Sequence, residues 1–276
     1  MIENEFSLIK KIRKIIGKEK SSIVAGPGDD SAVLRGPKDN YLLFTCDSLV
    51  ENIHFSLDYT TPQDLGWKAL AVNVSDIAAM GGIPRYVIVS LILNEKVNEE
   101  WVKRLYTGFK EFIKKYPVSL VGGNISRSES SIVVVDIAML GEVEKNRVIR
   151  RSGAKVGDLI VVTGTLGDSK AGMKILQKGG NNPFLCKRHL RPTPRLKEIR
   201  KIISKVKLNS LIDISDGLTQ DLSRILEESK VAASVDISKI PLSSQLKKFA
   251  KEQDIKLIDL VTNLLIAYVN NASYKK

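Results

Sequence analysis

The sequence has few of the residues that build disulfide frameworks or thiol and imidazole metal centres. Its 276 residues include two cysteines, Cys46 and Cys186, with no CxxC pair, and two histidines, His54 and His189. Disulfide scaffolds and zinc sites need closely spaced sets of these side chains. No run reaches the roughly eighteen apolar residues that a transmembrane helix needs, and residues 1–20 mix isoleucine with lysine and glutamate. We therefore expect a cytoplasmic protein with no membrane partner.

The common nucleotide-binding motifs are also missing. The chain has no GxxxxGK[ST] loop, no GxGxxG that opens a helix after a strand, and no protein-kinase signature set. Its net charge of +12 favours polyanionic partners, and nine lysines and arginines lie between Cys186 and Lys207 beside one acid, Glu198. That stretch lacks aromatic residues on which bases could stack, which argues against nucleic acid. It predicts a solvated basic helix face, and a phosphorylated small molecule would also be attracted.

The chain length and the change of texture near residue 147 predict two lobes, at 1–146 and 147–276. Apolar periodicity and turn residues predict helices over 3–17, 61–80, 98–116, 168–177, 217–229 and 243–253. Apolar β-branched runs predict strands over 41–45, 85–93, 118–121, 131–143, 159–163, 211–214, 231–237 and 263–269. The predicted fold class is α/β (α+β).

Aspartates recur immediately after predicted strands or beside glycine. They stand in the sequences GPGDD, TCDS, NVSDIAAMGG and DISDG, and they are Asp29, Asp30, Asp47, Asp76, Asp213 and Asp216. A single aspartate next to glycine is usually a turn residue. Magnesium prefers such oxygen ligands and commonly binds through carboxylates together with substrate phosphates. The set as a whole therefore predicts a magnesium site.

Glycines also occur at the predicted junctions of strands and loops. The absence of a Cβ lets their backbone N–H groups approach a phosphate. They are Gly26, Gly28, Gly122, Gly123, Gly164, Gly167 and Gly217. Together with the aspartates they favour a nucleotide site in which acids hold magnesium and glycine-containing loops hold phosphate.

Seven segments together resemble thiamine-monophosphate kinase, a family of the aminoimidazole ribonucleotide synthetase superfamily. They are GDDSAV, DSLVENIHF, KALAVNVSDIAAMGG, RSGAKVGD, VTGTLGDS, RHLRPTPRL and DISDGL, and they follow that family's order. The resemblance implies a two-lobed protein that forms a homodimer through its N-terminal mixed sheet, with a C-terminal α/β lobe. It further implies a kinase that moves the γ-phosphate of ATP to thiamine monophosphate, in line and with Mg²⁺.

The resemblance also implies roles for individual residues. The implied magnesium ligands are Asp30, Thr45, Asp47, Asp76, Asn124, Asp213 and Asp216, and the implied catalytic residues are Asp30, Asp47 and Asp213. Contacts to ATP are implied for Asp47, Gly122, Gly123, Arg151 and Ser215, and a contact to thiamine monophosphate for His54. Without the resemblance, Arg151 could be a surface cation, His54 an edge-strand residue and Ser215 a turn or cap residue.

Two positions depart from the family pattern. Asn124 stands where the family carries aspartate after two glycines, which removes one negative charge from the implied metal site. The family's GGEDYELLF segment has no counterpart, and residues 258–276 read IDLVTNLLIAYVNNASYKK. Two alternatives therefore stay open. The protein could be an ATP-using enzyme of the superfamily with another substrate, or a homologue that binds ATP without turnover.

Overall fold

A computed structural model of the chain describes residues 5–17, 20–129 and 132–261. Six strands form one mixed sheet in the order β1-β2-β3-β6-β4-β5, in which only the β4–β5 pair is parallel. The strands are β1 (Ile23–Ala25), β2 (Ala32–Arg35), β3 (Asn40–Val50), β4 (Ile83–Leu93), β5 (Ser119–Arg127) and β6 (Val134–Glu144). The helices are α1 (Glu5–Ile16), α2 (Pro62–Ala79), α3 (Glu99–Ile113), α4 (Asp168–Gln177), α5 (Pro183–Leu190), α6 (Leu196–Ile203), α7 (Leu218–Ser229), α8 (Ser244–Glu252) and α9 (Leu257–Val261). This arrangement confirms the predicted α/β class.

One face of the sheet packs on α2 and α3, and this layer contains the main hydrophobic core. Side chains alternate between the two faces of a strand, and along β6 the residues Val135, Ile137 and Met139 are fully buried. Both helices begin at the predicted caps. The Thr61 hydroxyl accepts a hydrogen bond from the Asp64 N–H at 3.2 Å, and the Asn98 side chain accepts one from the Trp101 N–H at 2.9 Å.

The opposite face of the sheet, which we call the outer face, carries large apolar side chains that are exposed in the described part of the chain. Phe44 of β3 and Tyr86 of β4 flank Leu140 of β6 in register, and they are 46% and 51% exposed. Ile88 and Ile92 of β4 are 48% and 37% exposed. Large contiguous apolar patches on soluble proteins usually mark contact surfaces.

Two sequence predictions in the N-terminal half placed strand ends wrongly. The predicted strand 41–45 extends to Val50, so Asp47 lies within β3 and not where a strand opens into a loop. The strand predicted over 118–121 also extends further than expected, because β5 continues through Gly122 and Gly123 to Arg127. A Cβ at Gly123 would lie 2.1 Å from the Val89 carbonyl oxygen, so only glycine permits this close pairing with β4.

The C-terminal half consists of helices joined by extended segments. A small core of Ala171, Leu185, Leu246, Ala250 and Leu260 holds α4, α5, α8 and α9 together. The strands predicted over 159–163, 211–214 and 231–237 are wrong, because these segments form no strand in the part of the chain that the structure describes.

The local surroundings explain the error. A strand needs a paired neighbour, and in the first of these segments Leu159 is 90% and Val161 80% exposed. The strand predicted over 263–269 lies outside the described residues. No helix in the described ranges is both long and apolar enough to cross a membrane.

Two arginines of the basic stretch after Cys186 join the two halves of the chain, whereas the lysines of the stretch are exposed, so the prediction of a solvated face is confirmed only for the lysines. Arg191 forms ion pairs with Asp64 of α2 and with Glu111 of α3. Arg200 of α6 binds the Glu144 carboxylate at 2.7 and 2.9 Å. The apparent excess of positive charge in this stretch is therefore partly neutralised by acids that lie far away in the sequence.

Candidate active site

Three aspartates that are distant in sequence meet between the two halves. Asp30 lies in the turn before β2, Asp76 in the last turns of α2, and Asp213 in the extended segment before α7. One carboxylate oxygen from each lies within 4.8 Å of the other two. The structure thus brings together three of the residues that the sequence predicted as metal ligands.

The surroundings of these carboxylates oppose their ionisation. Burial raises the pKa of Asp30 to about 6 and that of Asp213 to about 7, and it raises the pKa of Asp76 well above its usual value. The neighbouring aspartates add to each shift, while Arg151 partly offsets it at Asp30. In the described part of the chain, Asp30 Oδ2 is buried without a hydrogen-bond partner. Such a set of hard oxygen donors fits Mg²⁺, which would relieve their mutual repulsion.

Thr45 and Arg151 complete the inner part of the site. The Thr45 hydroxyl lies 2.6 Å from Asp76 Oδ2, to which it donates, and 3.3 Å from the Asp30 carbonyl oxygen. Arg151 donates from Nη2 to Asp30 Oδ1 at 2.5 Å, and its backbone N–H donates to Asp29 Oδ1 at 3.2 Å. The Arg151 side chain is 12% exposed, so it is not a surface cation.

Asp47 lies beside the three-carboxylate cluster. Side chains two apart on a strand share a face, so Asp47 lies on the same face of β3 as Thr45. Burial raises the pKa of Asp47, His54 lowers it, and Asp136 and Asp216 raise it further. Asp47 in turn raises the pKa of both Asp76 and Asp213. It therefore adds a fourth negative charge at the edge of the cluster.

Asp221 supports the segment that carries Asp213, and the sequence reasoning missed it. Its Oδ2 accepts hydrogen bonds from the backbone N–H groups of Ser215, Asp216 and Gly217 at 3.0, 3.1 and 3.0 Å. Arg224 of α7 binds both Asp221, at 3.0 Å, and Asp216, at 2.5 Å. A signal was present, because an acid in the first turn of a helix commonly binds the free N–H groups there.

The remaining predicted residues lie outside the three-carboxylate cluster. Gly122, Gly123 and Asn124 are exposed on β5, which is an edge strand of the sheet. Asn124 lies level with Ser90 and Asp136 across the sheet, on the outer face, and its amide donates to Ser126 Oγ at 3.0 Å. Its role as a metal ligand stays a prediction, as do the ATP contacts of Gly122, Gly123 and the exposed Ser215.

His54 is exposed in the short segment after β3. Its Nδ1 accepts the Val50 N–H at 3.0 Å, and its carbonyl oxygen accepts Lys68 Nζ at 2.8 Å. Burial and the Lys68 charge lower the pKa of His54. A ring that accepts at Nδ1 carries its proton on Nε2, so the neutral imidazole offers one N–H donor to a ligand.

Comparison with known proteins gives the class to which this fold and this acidic site belong. Residues 28–143 match the family described as AIR synthase related protein, N-terminal domain, and residues 155–259 match its C-terminal domain. The chain is therefore an AIR synthase-related protein. Within that class, it belongs to the thiamine-monophosphate kinase family, on the evidence of the following relatives.

The sequence is 41% identical over 251 residues to thiamine-monophosphate kinase of Buchnera aphidicola subsp. Acyrthosiphon pisum, covering 88% of this chain and 75% of that protein. It is 39% identical over 254 residues to the Bacillus subtilis enzyme, covering 89% and 77%. Among solved structures, AaThiL complexed with AMPPCP and TMP superposes with a TM-score of 0.84 at 38% identity, covering 94% of this chain and 81% of that one.

Proposed function

We propose that this protein transfers the γ-phosphate of ATP to thiamine monophosphate, and that Mg²⁺ is held by Asp30, Asp76 and Asp213. The observation that carries this proposal is the convergence of these three carboxylates, one buried and two half-buried, in a member of the thiamine-monophosphate kinase family. The solved relative bound to AMPPCP, an ATP analogue, and to TMP supports the choice of both substrates. We also propose that the enzyme works in the cytoplasm.

The proposed reaction joins two polyanions, so neutralising and aligning them is the main task of the site. An oxygen of the acceptor phosphate attacks the γ-phosphorus of ATP, the bond to the β-phosphate oxygen breaks, and ADP leaves. Bound Mg²⁺ would supply positive charge to the phosphate oxygens during this exchange. Asp30, Asp76, Asp213 and Asp47 would hold that charge in place, and Thr45 would orient Asp76 through its hydrogen bond.

The nucleotide would lie where positive and backbone donor groups are available. Arg151 is fixed by Asp30, so its remaining guanidinium N–H groups are held in position for an ATP phosphate. Ser215 and Asp216 lie on the turn that Asp221 supports, and we propose that Ser215 contacts the nucleotide and Asp216 a metal ion. Gly122 and Gly123 would offer their backbone to ATP, Asn124 would supply a neutral ligand oxygen, and His54 would contact the acceptor.

The direct test is to incubate purified protein with ATP, Mg²⁺ and thiamine monophosphate and to measure thiamine diphosphate by chromatography. We expect thiamine diphosphate and ADP in equal amounts, and no product when EDTA is present. ATP consumed only with another phosphorylated or carboxylated acceptor would favour a different substrate. ATP binding without turnover on any acceptor would instead identify a homologue that has lost activity.

We also propose a homodimer in which two outer faces pack together. Phe44, Tyr86, Ile88 and Ile92 lie on that face and are each between 37% and 51% exposed. Burying apolar surface of this kind is the main driving force for stable association.

Replacing Ile88 by glutamate would place a charge within this contact, because Ile88 lies on the outer face and is 48% exposed. We expect the wild type to have about twice the mass of the chain in light scattering, and the Ile88→Glu variant to have the mass of one chain. Lys110→Glu on the exposed side of α3 is the matched control and should stay dimeric. A monomeric wild type would contradict the proposal.

A further inference from the structure

The segment after β3 is a compact tip that displays His54. Asn52 N–H donates to the Phe55 carbonyl at 2.7 Å, and His54 N–H donates to the Val50 carbonyl at 2.9 Å. Phe55 is 2% exposed and anchors the end of the tip, whereas Ile53 is 73% exposed. Asn52 has a φ of +65°, a conformation that asparagine tolerates better than most residues. The backbone of the tip is therefore held by its hydrogen bonds and by Phe55, and its outward side chains face solvent.

The tip is also held from outside by Lys68 of α2. Lys68 Nζ donates to the His54 carbonyl oxygen at 2.8 Å, and this is its one hydrogen bond within the described ranges. No carboxylate among the described residues forms an ion pair with it. Burial lowers the pKa of Lys68 to about 8, and the charge of Lys68 helps to lower the pKa of His54. A half-buried ammonium whose single protein partner is a carbonyl group is unusual, because buried charges are normally paired.

The imidazole ring and the backbone carbonyl of His54 are thus held by different groups. The Val50 N–H occupies Nδ1, and Lys68 occupies the carbonyl oxygen, while Nε2 has no hydrogen-bond partner in the part of the chain that the structure describes. His54 also affects the ionisation of Asp47, which lies at the edge of the carboxylate cluster. His54 is therefore coupled electrostatically to Asp47 and bound through its carbonyl oxygen by Lys68, and its Nε2 edge is left for a ligand.

We propose that Lys68 is a positioning residue for acceptor binding, which acts by holding the His54 carbonyl so that His54 presents its Nε2–H to thiamine monophosphate. This inference rests on the proposed function. It gives a role to Lys68, a residue of the KALAVNVSDIAAMGG segment to which neither the proposed metal site nor the proposed nucleotide site assigns a role.

The decisive experiment is a double-mutant cycle with Lys68→Met and His54→Ala, read by steady-state kinetics. Because Lys68 acts on the acceptor side, Lys68→Met should raise KM for thiamine monophosphate about tenfold and leave kcat and KM for ATP within about twofold. Because Lys68 acts through His54, adding Lys68→Met to His54→Ala should change KM by less than about twofold. Lys68→Arg, which keeps a charged donor, should recover most of the acceptor affinity.

Lys110→Met, at an exposed position of α3, is the matched control and should match the wild type. Two independent effects that multiply in the double variant would overturn the proposal. An equal change of KM for ATP in Lys68→Met would also overturn it, because Lys68 would then act on the whole site.

A second readout does not depend on turnover. The chain has two histidines, so ¹⁵N-histidine NMR spectra can be assigned with His54→Ala and His189→Ala. We expect His54 as the Nε2–H tautomer in the wild type and in Lys110→Met, and a mixture of tautomers in Lys68→Met.

Calorimetric titration with thiamine monophosphate in the absence of ATP should show about tenfold weaker binding to Lys68→Met. An unchanged His54 signal, or no acceptor binding by the wild type, would overturn the inference. A wild type that binds the acceptor without forming thiamine diphosphate would contradict the proposed function alone.

Discussion

Replacing Asp213 by asparagine should abolish Mg²⁺-dependent ATP turnover and leave the protein folded. The variant keeps the shape of the side chain but removes one of three carboxylates whose oxygens lie within 4.8 Å of one another. Losing about 4 kcal/mol of charge stabilisation in the transition state slows a reaction roughly a thousandfold. We expect at least this loss in kcat, measured as formation of thiamine diphosphate under saturating ATP.

The folded state of this variant should also become more stable in EDTA, because an amide carries no charge that the other aspartates repel. Circular dichroism and thermal melting separate this outcome from misfolding. Asp259→Asn, at an exposed position of α9, is the matched control and should keep full activity. Turnover of Asp213→Asn within tenfold of the wild type would contradict the assignment of Asp213 to the metal site.

Without divalent cations, the protein should lose stability as the pH rises from about 4 to above 7. The pKa values of Asp30 and Asp213 in the folded protein are about 6 and about 7, because burial raises both above the ordinary aspartate value of 3.8. Between the ordinary aspartate pKa and the raised pKa values of the folded protein, the folded protein binds more protons than the unfolded chain. The free energy of unfolding therefore falls with rising pH in this range. The contribution is complete below about pH 4 and is lost once the pH passes the folded-state values.

Melting curves between pH 4 and 8 in EDTA check this prediction. A loss of about 2 kcal/mol would lower Tm by roughly 4–8 °C in a chain of this size. Other groups titrate in the same range, so the quantity to compare is the difference in Tm between the wild type and Asp213→Asn, which should grow with pH. Mg²⁺ at pH 8 should raise the Tm of the wild type by several degrees and that of Asp213→Asn by less. If the difference in Tm between the wild type and Asp213→Asn did not change with pH, the predicted link between the ionisation of Asp213 and stability would be contradicted.

The sequence predicted the N-terminal half well because its signals are local. Thr61 and Asn98 cap helices where expected, and the alternation along β6 matches its burial. The strand ends were predicted wrongly, because β3 pairs with β6, which is distant in sequence, and this pairing extends β3 through Asp47 to Val50. In the C-terminal half, apolar runs such as 159–163 look like strands, but a strand forms only where a neighbour pairs with it.

The same contrast between local signals and contacts of distant segments applies to the candidate site. Asp30, Asp76 and Asp213 could be predicted as a set because repeated aspartates beside glycines suit a hard cation. Their supporting contacts could not be predicted, since they depend on the way distant segments meet. Asp221 binds three backbone N–H groups of the turn after Asp213, and Lys68 reaches the His54 carbonyl from another element. Roles that rest on bound ATP, such as those of Gly122 and Ser215, stay predictions.

The three-carboxylate cluster takes Asp30 and Asp76 from one half of the chain and Asp213 from the other. A cation bound by all three would therefore bridge the halves, and its affinity would depend on how the halves are oriented. Cation binding and the orientation of the halves are linked reciprocally. If a bound cation disfavours an arrangement that separates the halves, that arrangement weakens cation binding by the same factor. Arg191 and Arg200, which tie the same halves through ion pairs, would thus influence the affinity for the proposed magnesium ion from a distance.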